Sequence, residues 1–152
     1  MARLIVPELQ EMKYRKKLLE NKGTMAFHNG TIPFPEEEWQ GFYREWVGQD
    51  PSRKYFAYIY CGGCEDFTGM VSYRYDEDQD GHVIDVLVEK SRRRCGYGTS
   101  GIRLMKDIAK HNHISRFIAP LPKGSEAVPF LEKNGFQKDR ETDDSVIYIL
   151  NF

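Results

Sequence analysis

Three arginines, Arg92, Arg93 and Arg94, run into two closely spaced glycines, Gly96 and Gly98, and a helix-like pattern follows at once. A helix N-terminus offers unpaired backbone N–H groups and a partial positive charge, and phosphates bind there readily. Glycines let the backbone come close and take positive φ. The combination calls for a phosphate, and the arginine charge beside it for a diphosphate. Two other readings fit less of the chain. GYGTSG matches the letters of the G-x-G-x-x-G dinucleotide fingerprint, but the polar run EKSRRRC separates it from its strand. The next strand, SRFIAPL, also lacks the expected ribose-binding acid. A nucleotide P-loop fits less still, because no Gly-Lys-Ser/Thr follows the glycines.

Other reactive residues have plainer readings. Cys61 and Cys64 have the Cys-x-x-Cys form of a zinc knuckle or redox pair. A structural zinc needs four ligands, and only Cys95 and scattered histidines remain, so no metal is expected. Their place between two strands favours a hairpin turn with two small residues. Cys95 reads as a small packing residue within the loop, with no visible base to make it a nucleophile. The arginine run has no second basic stretch to track a nucleic-acid backbone. Trp39, Phe42, Tyr43 and Trp46 share helical spacing and read most simply as core.

The elements that must position the loop follow from periodicity. A short strand over Arg3 to Val6 precedes a helix from Pro7 to Asn21. A Gly-, Pro- and Asn-rich loop leads to a second helix opened by Pro35 and Glu36 to Glu38. Lys54–Tyr60, Phe67–Tyr75 and His82–Val88 read as an antiparallel meander. A helix over about Gly98 to His111 precedes a strand at Ser115 to Leu121. A short helix over Glu126 to Asn134, stopped by Gly135, leads into a closing strand pair, Phe136–Arg140 and Val146–Leu150. This order is α+β with one mixed sheet, and the unit from His82 to Pro120 should be a parallel crossover.

At 152 residues the chain fits one domain, residues 1–152. Its net charge of −1 lacks the domain-wide basic bias of a nucleic-acid binder. The N-terminus has no apolar signal core, no apolar run approaches a membrane span, and three cysteines argue against a secreted disulfide framework. A cytoplasmic enzyme or binding module, with no membrane or nucleic-acid partner, is the expectation.

The loop resembles the acyl-CoA pyrophosphate loop of the GNAT superfamily of N-acetyltransferases, written Arg/Gln-x-x-Gly-x-Gly/Ala and here Arg93, Gly96 and Gly98. Val88 ends the preceding strand as expected. SEAVPFLEKNGF is similar to the family's late helix and its Gly-Phe close, Gly135 and Phe136. The element order agrees too. The resemblance implies a central mixed, mostly antiparallel sheet of about seven strands flanked by about four helices. It implies acetyl transfer from acetyl-CoA to a primary amine by direct attack in a ternary complex, and it leaves room for a homodimer. The N–H groups of Arg93, Arg94, Cys95, Gly96, Tyr97, Gly98 and Thr99 would hold the pyrophosphate. Leu87 and Val88 would pair with the pantetheine, one amide there polarising the thioester carbonyl.

The family's spacing puts the base at His82 or Ile84, and only His82 can titrate. Asp85 is the other candidate, although alternation puts it on the opposite face. Phe27, His28, Phe34 and Trp39 fall where the family covers its acceptor. The tyrosine that protonates the leaving thiolate in many members is Leu131 here, with Tyr97 and Tyr148 as substitutes, and a common asparagine is Gly124. These departures keep open a degenerate member that binds acyl-CoA as a sensor or structural module.

Overall fold

A computed structural model describes Met1 to Phe152. Strand β1 (Ala2–Ile5) precedes helix α1 (Met12–Glu20), and α2 (Trp39–Trp46) follows. Strands β2 (Lys54–Cys61), β3 (Asp66–Asp76) and β4 (Gly81–Val88) form the meander. Helix α3 (Tyr97–His111), β5 (Arg116–Pro122), α4 (Val128–Lys133), β6 (Gln137–Glu141) and β7 (Ser145–Asn151) complete the chain. The seven strands make one sheet in the order β1-β2-β3-β4-β5-β7-β6. Every pairing is antiparallel except β4 with β5. The expected mixed α+β architecture is therefore present.

Local chemistry explains the differences at element ends. Glu8 and Glu11 form a reciprocal capping box, so the first turn after Pro7 is a 3₁₀ turn and α1 begins at Met12. Glu36 to Glu38 likewise form a 3₁₀ turn before α2. Pro129 confines α4 to Val128–Lys133, shorter than the apolar pattern implies. β6 is exposed along its whole length, and Lys138, Asp139, Arg140 and Glu141 protect that sheet edge from pairing.

The sheet divides two cores. On one face Ile102, Met105 and Ala109 of α3 and Leu131 of α4 pack against Ile59, Val71, Tyr73 and Ile84. On the other, Met12, Leu18 and Leu19 of α1 pack against Phe56, Tyr58, Met70 and Leu87, with the aromatic stripe of α2 over them. Strand alternation sorts the residues: Ile84 and Leu87 lie in opposite cores. No helix is long and apolar enough to cross a membrane.

The feature that matters for function is where the sheet fails. β4 and β5 pair only at His82↔Phe117 and Val83↔Ile118. Beyond that point the β4 edge from Ile84 to Val88 has no ladder partner on the β5 side. Pro120 and Pro122 withdraw two N–H donors from β5 where the strands part.

Candidate active site

The arginine–glycine loop sits at the mouth of this opening. Its backbone is wound for exposing amides: Arg94 and Gly96 have φ of 63° and 83°. Gly96 caps α3 in the left-handed conformation. The N–H groups of Arg94 through Thr99 make no hydrogen bond within the protein; the first intrahelical bond runs from Ser100 N–H to the Gly96 carbonyl at 2.9 Å. A run of unpaired amides at a helix N-terminus has the donors and partial positive charge that suit an anion.

The three arginines divide the work. Arg93 is structural: its Nε–H donates to the Val88 carbonyl at 3.1 Å and its terminal N–H to the Thr24 carbonyl at 2.6 Å. It fastens the end of β4 to the chain after α1. Arg92 pairs with Asp66 at 3.1 Å. Arg94 makes no ion pair or hydrogen bond and is exposed, so its charge is free for a ligand. Gly98 is needed for closeness: a Cβ there would stand 2.9 Å from the Phe130 ring of α4.

Behind the loop two cavities, of about 400 and 300 Å³, share Phe27, His28, Val86, Ala127 and Phe130 and form one cleft. One end holds Leu87, Val88, Arg93 and Arg94. The other holds Ile84, Asp85, Ala119 and Leu131. A third cavity of about 270 Å³ lies on the α1–α2 side, among Arg15, Phe42, Trp46, Phe56 and Met70. Ile84 and Asp85 line both this cavity and the cleft, so the two meet at the opened edge of β4. A larger hollow of about 550 Å³ along α1 is lined by Lys13, Lys16 and Lys17 and lies apart from the loop.

Among the candidate bases, Asp85 stands where the cleft and the third cavity meet, and its carboxylate has no hydrogen-bond or ion-pair partner. His82 lies at the zipped end of β4. Its Nε2 is 2.8 Å from the Ser52 carbonyl and its ring packs edge-on against Tyr73 and Tyr75. A carbonyl can only accept, so that nitrogen is committed as a donor. Alternation does put Asp85 on the face opposite Ile84. That face is the one through which the third cavity opens.

Phe27 and His28 line the cleft, Phe27 being 62% exposed. Phe34 and Trp39 do not. Phe34 is buried in the α1–α2 core, and the Trp39 indole N–H donates to the Phe34 carbonyl at 3.1 Å. Leu131 lines the cleft with no proton to give. Tyr148 is buried in the same core as Leu131 and lines neither cavity of the cleft. The Tyr97 hydroxyl donates to Cys61 Sγ at 3.1 Å, turned toward the β2–β3 hairpin. That hairpin is where CGGC was expected to turn, and its two sulfurs are joined as a disulfide. Cys95 is exposed rather than packed, because the left-handed residues on either side lift the loop from the core. No group of three His, Cys, Asp or Glu side chains comes together as a metal site.

Residues 14–136 match the model of the GNAT acetyltransferase family, more than half of the chain. The protein belongs to that family. Among solved structures the chain is similar to a GNAT acetyltransferase from Bacillus anthracis, with TM-score 0.79 at 13% identity over 99% of this chain and 94% of that one. It is equally similar to the spermidine N-acetyltransferase of Vibrio cholerae solved with CoA and spermine, with TM-score 0.79 at 12% identity over 99% and 95%. The PaiA N-acetyltransferase of Thermoplasma acidophilum, solved with coenzyme A, gives 0.72 at 11% over 100% and 99%. At such identities the likeness is one of fold. No curated protein sequence matches the chain.

Proposed function

We propose that this GNAT protein moves the acetyl group of acetyl-CoA to a primary amine by direct attack in a ternary complex. The observation that carries the reading is the run of unpaired amides from Arg94 to Thr99 at the mouth of the β4–β5 opening. Those amides and the free Arg94 guanidinium suit a pyrophosphate. The unpaired backbone edge ending in Leu87 and Val88 suits the amide-bearing pantetheine arm, and the apolar walls Val86 and Phe130 suit its methylenes. Acetyl-CoA supplies the activated acetyl group. The chain contributes orientation and proton handling.

Asp85 is the proposed base, acting directly or through water. It is unpaired, and it stands where the cleft meets the third cavity. His82 is assigned a structural role through Ser52. Phe27 and His28 wall the donor cleft, while Phe34 and Trp39 belong to the α1–α2 core on the side of the third cavity. The leaving thiolate takes its proton from solvent, since Leu131 has none.

Calorimetric titration with acetyl-CoA, CoA and NAD tests the reading, followed by an amine screen for CoA release. Both CoA forms should bind and NAD should not. Asp85→Asn should lower kcat about 100-fold or more, the usual share of a general base, with acetyl-CoA affinity unchanged. His82→Ala should leave kcat within a few-fold. Failure of both CoA forms to bind refutes the proposal. CoA binding with no amine accepted supports the sensor or structural alternative.

A further inference from the structure

The third cavity holds a group that neither folding nor acetyl transfer explains. Arg15 of α1 lies against two aromatic rings, its guanidinium carbon 3.7 Å from the Phe42 centroid and 4.5 Å from that of Phe34. Its Nε is buried and has no hydrogen-bond partner. No carboxylate stands within ion-pair distance of it. Burial lowers its pKa, to about 10, so it is a cation at neutral pH. Charged side chains are rarely buried without a partner, because desolvation goes uncompensated. The aromatic contacts favour the cation but leave its buried Nε–H unsatisfied.

The same cavity has a second unpaired charge. The Asp85 carboxylate lines it, near enough for its charge to be felt at Arg15, yet the two form no salt bridge. Between them the walls are Phe42, Trp46, Phe56 and Met70. Arg74 also reaches the cavity, but it is half exposed and leans toward Asp76 at 3.9 Å. A volume of about 270 Å³ suits a small molecule. One free cation and one free anion separated by apolar walls are complementary to a zwitterion.

We propose that the acceptor is a small apolar amino acid whose carboxylate is held by Arg15 and whose α-amine is presented at Asp85. This rests on the acetyl-transfer reading and names its substrate class. One ammonium proton passes to Asp85. The amine nitrogen then forms the new N–C bond as the acetyl C–S bond breaks. The nitrogen loses its second proton to solvent, and the thiolate takes one from solvent, so the products are the N-acetyl amino acid, CoA thiol and one proton.

The test compares matched acceptors at saturating acetyl-CoA: L-leucine, L-leucinamide and 3-methylbutylamine, then L-phenylalanine with its amide and phenethylamine. Products are read by mass spectrometry. Calorimetric binding of each acceptor, with and without CoA, is measured in parallel. The carboxylate forms should exceed the amide and the amine by about 10- to 100-fold in kcat/KM, the range for a charge-assisted hydrogen-bond pair. Arg15→Gln should remove that preference and leave acetyl-CoA affinity intact. Arg15→Lys, which keeps the charge, should retain part of it. Circular dichroism checks that each variant is folded. Equal use of the decarboxylated amine by the wild type, or a carboxylate preference that survives in Arg15→Gln, overturns the proposal. So does an amino acid that is neither acetylated nor bound while acetyl-CoA binds. An amino acid bound through Arg15 but not acetylated would uphold the site and overturn the transfer reading.

Discussion

Gly69 of β3 is the residue whose replacement the packing forbids most firmly. It faces Val88 across the β3–β4 ladder. A Cβ at Gly69 would lie 2.4 Å from the Leu87 carbonyl oxygen and 3.0 Å from the Val88 Cα. Both are backbone atoms, so no side-chain rotation relieves the clash. To reach ordinary van der Waals contact the strands must part by about 1 Å. Overpacking of this kind costs about 1–3 kcal/mol, and each loosened ladder bond about 1 kcal/mol more. Against that, alanine recovers about 0.5–1 kcal/mol of the entropy that glycine loses on folding. Gly69→Ala should therefore destabilise by about 1–3.5 kcal/mol and lower Tm by roughly 2–14 °C. Because the displaced atoms belong to Leu87 and Val88, acetyl-CoA affinity should fall as well. Gly41→Ala in α2 is the matched control: its Cβ meets nothing within 4 Å. It should stabilise by about 0.5–1 kcal/mol. Thermal and urea melts of the two variants read the signs. If Gly69→Ala melts at or above the wild type, close approach is not what requires glycine there, and the packing argument is wrong.

Two further outcomes follow from contacts at the site and in the cores. Arg93→Met breaks both ties between β4 and Thr24 and should cost about 1–3 kcal/mol in urea melts. Arg94→Met should stay within about 0.5 kcal/mol in stability yet weaken acetyl-CoA about tenfold by calorimetry. Burial raises the phenol of Tyr55 to about 12 and pushes Tyr14, Tyr58 and Tyr73 further, with the Glu89 charge adding to the rise at Tyr14. A raised folded value means that these groups favour the fold fully below their unfolded value of about 10. That contribution is lost as pH climbs above it. Absorbance at 295 nm should show the exposed tyrosines titrating first and the buried ones only with cooperative alkaline unfolding. Independent titration of all nine near pH 10 would contradict the cores as described.

The shape of the arginine–glycine loop is legible in the sequence because its determinants are local: glycines, an arginine run, and the start of a helical period. The strands and α3 are legible for the same reason. The limits of legibility sit where one core decides what a residue faces. Asp85 and His82 differ in value only once β4 is seen to be zipped at His82 and open at Asp85. Nothing within residues 82–88 encodes that, since it depends on β5 and its prolines. Arg15 stands in the run KYRKK, where a charged residue on a helix surface is the ordinary expectation. Its burial is created by Phe34 and Phe42, distant in sequence. Those same contacts turn Phe34 inward from a loop whose composition suggests exposure. The disulfide at Cys61 and Cys64 shows the reverse: the turn is predictable from two glycines, but the meeting of the sulfurs depends on how that turn closes.

The sheet can serve as a partition as well as a scaffold. Leu87 and Val88, with the loop beyond them, border the cleft. Asp85 lies between them and the zipped end, about 10 Å from Val88 at the usual strand rise, and looks through the opening toward α1 and α2. A donor and an acceptor that approach from opposite sides of one strand need not compete for space. They can meet only where that strand has lost its neighbour. This gives a physical reason for β4 and β5 to separate after Val83. A fully zipped sheet would gain ladder bonds and close the route between the cavities. It also explains the tolerance of leucine at 131. On the proposed reaction the leaving thiolate draws its proton from solvent and the acceptor's ammonium group gives one up to Asp85, the exposed, unpaired carboxylate at that junction.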